Sequence, residues 1–275
     1  MGLQQLPHSL RNMRSVLVTG ACGGMGQATV QALAKQGYRV FALDQRAADA
    51  QENIIPIIAD VTDEDSVQQA YEKVFSFTDE LFAIVHFAGV YMLDSLVEMD
   101  SASFQRIFQI NLFGAFLVNK TFLPLLQKGS RILMTTSELA PLDPLPFTGI
   151  YAVTKGALDR YAYSLAMELQ LLGISVSVLR AGAVNTGMLG VSTDALDRFC
   201  NNTRLYTCNA GRFKKIVDKV EARNILPEQL ADRVVTILQK KKPAFVNCMN
   251  RNPLLLMLNV LPKRLQLFII KRVLS

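Results

Sequence analysis

Tyr151 and Lys155 lie four residues apart in the stretch YAVTK, a spacing that places both side chains on one face of a helix. A phenol can donate or accept a proton, but its ordinary pKa lies too far above neutrality for efficient proton transfer there. A neighbouring ammonium group favours the phenolate and lowers that pKa. The pair therefore predicts acid–base chemistry in which Tyr151 moves the proton.

Helices and strands must hold these two residues in position. Along the chain, short apolar runs alternate with segments whose apolar residues recur at helical spacing. Because the runs are continuously apolar, they predict strands of a parallel sheet covered on both faces. Pro56, in the third run, favours an edge position. The predicted strands are 15–19, 38–43, 54–58, 82–87, 131–137, 175–180 and 243–247, and the predicted helices are 27–37, 63–75, 101–127, 151–172 and 226–241.

Ligands of such sheets bind beyond the carboxyl ends of the strands, so the residues directly after each strand are site candidates. After the first strand, the turn TGACGGMG (19–26) contains Gly20, Gly24 and Gly26. Glycines there permit a tight turn and let backbone N–H groups approach a pyrophosphate at a helix N-terminus. A simple strand-to-helix turn is the alternative interpretation.

Asp44 follows the second strand, at a distance from the glycine turn that suits the hydroxyl groups of an adenosine ribose. Its carboxylate would repel the additional phosphate of NADP. Arg46 lies nearby and softens that argument, but the glycine turn contains no basic residue. NAD(H) is therefore favoured over NADP(H). A surface aspartate that caps a turn is the competing interpretation.

The next strands also end in small or polar residues. Asp60 is a candidate acceptor for the adenine amino group, or else a turn residue before the next helix. The convergence of such residues at one sheet edge carries more weight than any single motif. They are Asp60 and Val61 after the third strand, Ala88 and Gly89 after the fourth, Ser137 after the fifth, and Gly182 and Thr186 after the sixth.

The order of these motifs resembles the classical short-chain dehydrogenase/reductase family over about residues 14–190, nearest to its steroid and retinol dehydrogenase members. The resemblance implies an α/β fold in one domain spanning 1–275, Rossmann-like and doubly wound, with a seven-stranded parallel sheet. It implies catalytic roles for Asn111, Ser137, Tyr151 and Lys155. It also implies cofactor contacts at Gly20, Gly24, Met25, Gly26, Asp44, Asp60, Val61, Ala88, Gly89, Tyr151, Lys155, Val184 and Thr186.

The resemblance assigns a role to each of these side chains. Ser137 donates a hydrogen bond to the substrate oxygen as charge develops there. Lys155 also binds the nicotinamide ribose, and Thr186 binds the nicotinamide carboxamide. Asn111 kinks its helix and holds a water molecule in the proton relay to the lysine.

Two residues depart from the family's pattern. Phe87 stands where an asparagine usually precedes Ala-Gly, and Ala181 stands where a proline usually precedes Gly182. We expect the first to alter how the central strands are tied together and the second to loosen the turn under the nicotinamide. Neither removes a proton-transfer group, so both bear on cofactor geometry rather than on reaction type.

Charge and composition limit the partners. Residues 1–150 carry 10 Lys and Arg against 15 Asp and Glu, whereas residues 151–275 carry 19 against 8. No recognised nucleic-acid motif accompanies the basic half, so nucleic acid is not an expected partner. No CxxC pair occurs among four cysteines, and the two histidines are far apart, so no metal site is expected. The expected location is cytoplasmic.

Residues of about 187–226 are predicted to form a substrate lid. In it, Leu189, Val191, Leu196 and Phe199 either line an apolar pocket or pack the lid onto the body. Apolar residues also flank the catalytic elements, which favours a hydrophobic alcohol or ketone over a sugar. These flanking residues are Leu93, Leu139, Leu142, Pro144, Leu145 and Phe147.

The segment of about 252–275 is amphipathic. It is continuously apolar over 254–258, and Pro262 and basic residues interrupt it too soon for a membrane span. It is expected to lie on an anionic membrane surface, to cover the substrate pocket or to pack on a partner subunit. The later apolar residues at helical spacing are Leu265, Phe268, Ile269 and Val273.

The sequence thus predicts an NAD(H)-dependent oxidoreductase that interconverts a hydroxyl and a carbonyl on a steroid-, retinoid- or lipid-like substrate. A reductase of coenzyme A- or carrier-linked 3-oxoacyl chains is a second hypothesis, against which Asp44 argues. A non-catalytic dinucleotide sensor is a third, although such sensors commonly lose the tyrosine or lysine retained here. The family further implies a homodimer or homotetramer formed through the long helices.

Overall fold

Seven strands form one sheet in the spatial order β3-β2-β1-β4-β5-β6-β7, and every neighbouring pair is parallel. The computed structural model describes the backbone of residues 13–221 and 224–275 and, apart from 187–193 and 218–221, their side chains. The predicted seven-stranded parallel sheet is confirmed. The strands are β1 Ser15–Thr19, β2 Arg39–Asp44, β3 Ile54–Ile58, β4 Leu81–His86, β5 Leu126–Thr135, β6 Ser175–Ala181 and β7 Val246–Met249.

Helices cover both faces of this sheet, which explains the continuously apolar strands. Successive residues of a strand point to opposite faces, so Leu17 joins one hydrophobic core while Val16 and Val18 join the other. The helices are α1 Gly24–Lys35, α2 Glu64–Phe75, α3 Ser101–Phe108, α4 Gly114–Phe122, α5 Gly149–Leu169, α6 Gly187–Asn202, α7 Thr207–Glu221, α8 Pro227–Gln239, α9 Pro253–Val260 and α10 Lys263–Leu274.

Pro56 lies on β3 at the edge of the sheet, as predicted, opposite Ala42 of β2. An edge strand tolerates proline because one of its sides has no partner to receive an N–H. At the other edge, the strand predicted over 243–247 is observed at Val246–Met249 instead. It is the pairing with β6 that defines this strand, and the pairing begins with Val246 opposite Val178 and continues to Met249.

The predicted helix over 101–127 is irregular at Asn111, where a kink was expected, and it ends earlier than predicted. A π-helical turn, Gln109–Phe113, separates α3 from α4, and a 3-10 turn, Leu123–Leu125, follows α4. Pro124 lies in that 3-10 turn and cannot donate a backbone hydrogen bond to a continuing helix. Leu126 then pairs with Leu81, so β5 begins five residues earlier than predicted, across an irregularity in the ladder.

The C-terminal helix pair, which we define as α9 and α10, is separated at Leu261 and Pro262. The predicted apolar residues of α10 lie on two sides of the helix, and Ile269 and Val273 line a cavity. Leu265 and Phe268 are exposed, whereas the packed face carries Gln266 and Leu274. No helix among the described residues is long and apolar enough to cross a bilayer.

Candidate active site

The glycine turn between β1 and α1 is built around positions that exclude a side chain. Gly20 has a φ of +67°, and a Cβ there would lie 2.5 Å from the backbone nitrogen of Ala88. A Cβ on Gly26 would lie 2.1 Å from the carbonyl oxygen of Gly20. Gly24 and Met25 open α1, whose N-cap residue is Gly23, so this helix N-terminus has no capping side chain over it. The turn therefore fits the close approach of a dinucleotide's phosphates.

Asp44 lies at the end of β2 beside that turn. Its Oδ2 accepts a hydrogen bond from the backbone nitrogen of Cys22 at 3.0 Å, and its Oδ1 accepts one from the backbone nitrogen of Arg46 at 3.3 Å. The carboxylate is thus held next to the glycine turn and remains partly exposed. Both the ribose-binding interpretation and the turn-capping interpretation fit this position.

Asp60 and Val61 differ in what they contact. Oδ1 of Asp60 accepts hydrogen bonds from the backbone nitrogen of Thr62 at 2.8 Å and from its hydroxyl at 2.7 Å. Burial opposes ionisation of Asp60, but these hydrogen bonds, together with one from Gln45 and the charge of Arg106, outweigh it and lower the pKa of the carboxyl. Val61 is buried against Gly114, where a Cβ would lie 2.7 Å from the Val61 Cγ2. Asp60 is therefore also a turn residue, and Val61 also packs the base of the site.

Ser137, Tyr151 and Lys155 come together where β5 ends and α5 begins. The side chain of Ser137 lies close enough to that of Tyr151 to lower the pKa of the phenol through hydrogen bonding. Lys155 donates from Nζ to the carbonyl oxygen of Thr135 at 3.2 Å, and its Nζ lies 5.8 Å from the centroid of the Tyr151 ring. The spacing in YAVTK thus brings its two ionisable groups to one place.

The electrostatics of this pair differ from the expectation. Burial raises the pKa of Tyr151 to about 12, against the opposing effect of the hydrogen bond with Ser137. Burial also lowers the pKa of Lys155 to about 8. Desolvation disfavours the charged form of each group, and at this separation it outweighs the attraction of the ammonium for a phenolate. The downward shift predicted for Tyr151 is therefore not produced by the chain alone.

Asn111 lies inside the π-helical turn and clamps the loop after β4. Its Oδ1 accepts from the backbone nitrogen of Val90 at 2.8 Å, while its Nδ2 donates to the Val90 carbonyl at 3.0 Å and to the Thr154 hydroxyl at 3.1 Å. A Cβ on Gly89 would lie 3.1 Å from the Asn111 Oδ1 and 3.4 Å from the Lys155 Nζ. Asn111 of the kinked helix, Gly89 and Lys155 thus lie next to one another.

The residues after β6 reach the same edge. A Cβ on Gly24 would lie 2.8 Å from the Cβ of Thr186, so the threonine meets the glycine turn. Val184 is buried and pairs with Ile225 in an isolated bridge. Gly182 is also sterically required, because a Cβ there would lie 2.0 Å from the carbonyl oxygen of Asn250.

Of the two departures from the family pattern, one directly follows β4 and the other ends β6. Phe87 is buried in the core, and its backbone nitrogen donates to the carbonyl of Thr19 at 3.0 Å. The central strands β1 and β4 are thus tied through the backbone there. Ala181 is the last residue of β6 and pairs with Met249 of β7, so this position continues the sheet.

A family model of the short chain dehydrogenases matches residues 14–197. The chain belongs to the short-chain dehydrogenase family. The match covers more than half of the chain and contains the glycine turn, Asp44 and all four predicted catalytic residues. The protein is accordingly a short-chain dehydrogenase/reductase enzyme whose cofactor is a nicotinamide dinucleotide.

Two relatives of this chain are enzymes whose names refer to a lipid-like or a steroid substrate. The chain is 26% identical over 231 residues to a 3-ketodihydrosphingosine reductase of Bacteroides thetaiotaomicron, covering 84% of this chain and 85% of the relative. It is 33% identical over 199 residues to estradiol 17-beta-dehydrogenase 2 of Mus musculus, covering 68% of this chain. That match spans 52% of the mouse protein, about half of its length.

A solved structure shows the same fold over nearly the whole chain. It is a short chain dehydrogenase from Burkholderia cenocepacia in complex with NADP, with a TM-score of 0.71 at 20% identity. The superposition covers 96% of this chain and 98% of the other. At that identity the likeness concerns the fold.

The short-chain dehydrogenase site also contains residues that the sequence reasoning missed. Glu138 directly follows Ser137, is buried, and accepts a hydrogen bond from the backbone nitrogen of Asn252 at 2.6 Å. Burial raises the pKa of this carboxyl. The ring of Tyr91 lies 4.9 Å from that of Tyr151, centroid to centroid. A charged residue next to the serine was the available signal for Glu138, and the position two residues after Gly89 was the signal for Tyr91.

A cavity of about 620 Å³ opens beside Ser137 and Tyr151. The predicted cofactor residues Met25, Val184 and Thr186 also line it. Most of its remaining wall is apolar and comes from the loop after β5, from α7 and from the C-terminal helix pair. These apolar residues are Leu139, Leu145, Phe213, Ile216, Leu254, Leu255, Leu258, Ile269, Ile270, Val273 and Leu274.

Two of the predicted lid residues lie away from this cavity. Leu196 and Phe199 pack in a cluster with Leu93 and Phe213 and do not line this cavity, which favours the packing interpretation. Phe147 belongs to the same cluster, with its ring 4.5 Å from that of Phe199. Neither Leu142 nor Pro144 lines the cavity. The side chains of Leu189 and Val191 lie outside the described residues.

Proposed function

We propose that this enzyme interconverts a hydroxyl and a carbonyl group on a steroid-, retinoid- or lipid-like substrate with NAD(H). The observation that carries the proposal is the cavity beside Ser137 and Tyr151. Its volume of about 620 Å³ falls in the range of sites that enclose drug-sized ligands, and its wall is mostly apolar. The names of the sphingosine and estradiol relatives support the same substrate class.

In this proposal the reacting oxygen lies between Ser137 and Tyr151. The Ser137 hydroxyl donates a hydrogen bond to that oxygen, and the Tyr151 hydroxyl gives it a proton during reduction or takes one during oxidation. Because burial keeps the phenol of Tyr151 protonated in the chain alone, the form needed for reduction is already present. Bound nicotinamide would supply the hydride chemistry.

Lys155 and Asn111 have positioning and proton-relay roles in the proposal. The Lys155 ammonium is anchored on the carbonyl of Thr135 and lies next to Gly89, where the ribose of the cofactor would approach. Asn111 holds the loop at Val90 in place on the other side. The preference for NAD(H) is supported by Asp44, whose carboxylate lies beside the glycine turn.

The first experiment compares turnover across a substrate panel with both cofactors. The panel contains steroids, retinoids, long-chain alcohols and ketones, sugars and 3-oxoacyl thioesters. We expect the highest kcat/KM on an apolar alcohol or ketone with NAD(H). Preference for a thioester would favour the acyl reductase hypothesis. Binding of NADH without turnover of any compound would favour the sensor hypothesis.

The second experiment replaces Tyr151 by Phe, which removes only the hydroxyl. We expect kcat to fall by about 10²–10⁴-fold, as for loss of a general acid–base, while NADH binding changes little. The control is Tyr163→Phe on the same helix, where the side chain is exposed. Retention of wild-type turnover by the Tyr151→Phe enzyme would show that the assigned mechanism is wrong.

A further inference from the structure

Both helices of the C-terminal helix pair expose large apolar side chains on the outer face, which is turned away from the cavity. Met257 and Leu267 are each 68% exposed, Val260 is 85% exposed and Phe268 is 65% exposed. Ile269 and Ile270, on the other side of α10, line the cavity wall. Packing against the body of the protein therefore explains the apolar side chains on one face of these helices. It does not explain the apolar side chains on the exposed face.

The segment that exposes these apolar side chains is also basic. The C-terminal residues 251–275 carry Arg251, Lys263, Arg264, Lys271 and Arg272 and contain no acidic residue. Helical spacing places Phe268 on one side of α10 with Arg264 and Lys271, and all three are exposed. Lys263 pairs with Asp143 of the loop after β5, which fixes the start of α10 against the body.

The sign of the charge selects the kind of surface that this face fits. A symmetric dimer formed through this face would bring the two basic sets together, because an isologous interface places the same residues on both sides. An anionic lipid surface offers the opposite charge, and its acyl region offers a place for the exposed apolar side chains. Large apolar side chains flanked by Lys and Arg are typical of helices that lie in a membrane interface.

We propose that the outer face of the C-terminal helix pair binds an anionic lipid bilayer as a peripheral contact. Met257, Val260, Leu267 and Phe268 enter the boundary between head groups and acyl chains, and Arg264, Lys271 and Arg272 contact the anionic head groups. This binding does not depend on the proposed reaction. It does place the bilayer next to the cavity mouth, because Leu254 both lines the cavity and is 68% exposed.

Cosedimentation with lipid vesicles tests the proposal. The vesicles contain either phosphatidylcholine alone or roughly one third phosphatidylserine, at low and at high salt. We expect the full chain to sediment with the anionic vesicles at low salt, and much less with neutral vesicles or at high salt. Absence of sedimentation with anionic vesicles at low salt would overturn the proposal.

Two matched double variants separate this face from general surface hydrophobicity. We expect Leu267→Gln with Phe268→Gln to reduce partition into anionic vesicles by at least about tenfold, since two interfacial apolar groups are lost. Leu171→Gln with Leu172→Gln removes a similarly exposed apolar pair before β6 and should leave partition unchanged. An equal loss in both double variants would refute the assignment of the face.

Folding and self-association are measured alongside. Thermal melting followed by circular dichroism, and turnover of a water-soluble substrate, should match between wild type and the variant at Leu267 and Phe268. Sedimentation velocity without lipid tests the alternative that a second copy of this chain binds the same face. If that variant abolished a concentration-dependent dimer, the face would be a contact between copies of this chain and the lipid proposal would fall.

Discussion

Tyr151 and Lys155 are separated by packing from the solvent that would normally stabilise their charges. Part of Tyr151 still faces the cavity, but burial raises its pKa to about 12 and lowers that of Lys155 to about 8. At neutral pH the phenol is therefore protonated and the Lys155 amine is still mostly charged, and a further charge in the site shifts both equilibria. Spacing alone predicted the proximity of the residues, whereas desolvation decided the direction of their shifts.

The proposed preference for NAD(H) over NADP(H) depends on Asp44. We expect wild type to bind NADH more tightly than NADPH, because the carboxylate faces the additional phosphate in the proposed complex. Asp44→Asn keeps the size of the side chain and removes its charge. This should tighten NADPH binding by about tenfold, equivalent to about 1.4 kcal/mol. Titration of both cofactors by fluorescence checks the result.

Asp49→Asn is the matched control for that variant, since Asp49 is an exposed carboxylate later in the same loop. It should leave the ratio of the two dissociation constants unchanged. Tighter binding of NADPH than NADH by wild type would mean that Asp44 does not select the cofactor. An equal effect of both variants would point to net charge rather than to a contact at Asp44.

At the scale of elements, the C-terminal helix pair closes the site from a distant part of the chain. Glu138 receives the backbone N–H of Asn252 at the start of α9, and the backbone N–H of Asp143 donates to Asn259 at 2.6 Å. These contacts join α9 to the loop that carries Ser137. Of the three alternatives for this segment, covering the pocket is therefore observed, while membrane contact is proposed for its opposite face.

Ile270→Asn tests whether α10 forms part of the substrate site. A polar amide of similar size in an apolar wall should raise KM for an apolar substrate by about tenfold, corresponding to 1–2 kcal/mol for an unsatisfied polar group. We expect kcat to change little, because Ile270 is not among the proton-transfer groups. Val260→Asn, on the exposed side of α9, is the control. Equal KM values for both variants would exclude α10 from the site.

At the scale of the whole molecule, His86 links the stability of the fold to pH. It is buried at the end of β4, where its Nε2 lies 2.9 Å from the Oδ1 of Asn119, and Asn119 in turn donates to the Tyr161 hydroxyl. Burial lowers the pKa of His86 to about 4, against the opposing effect of Asn119. Between its ordinary pKa of 6.5 and about 4, the unfolded chain therefore binds a proton that the folded chain does not.

The free energy of unfolding should consequently fall as pH drops through this window. The His86 contribution is complete above pH 6.5 and is lost by about pH 4, at a cost of about 3 kcal/mol. His86→Gln removes the titration and can retain a hydrogen bond to Asn119. Urea unfolding at pH 7 and pH 4 checks this, and the wild type should lose about 3 kcal/mol more than the variant. Equal losses would show that His86 does not titrate as described.

The predicted homodimer or homotetramer stays a prediction at this scale. The proposed lipid contact uses the outer face of the C-terminal helix pair and does not involve the long helices. Analytical ultracentrifugation of the wild-type chain, with lipid absent, would measure the assembly separately.

The sequence by itself determined the parallel sheet, the edge position of β3 and the order of residues along the site. These features depend on local properties: continuous apolar strands, the missing N–H of Pro56 and the backbone freedom of Gly20. The carboxyl ends of parallel strands lie on one edge, so that order alone brings Asp44, Ser137 and Thr186 to the same side.

The family resemblance predicted a kink at Asn111, but only the tertiary structure decided that it is a π-helical turn, which side of α10 packs and which residues wall the cavity. Each depends on contacts between distant segments, such as Val61 against Gly114 and Glu138 against Asn252. The pKa directions of Tyr151 and Lys155 belong to the same class. Burial is a sum over everything that surrounds a group, and no local pattern of residues contains that sum.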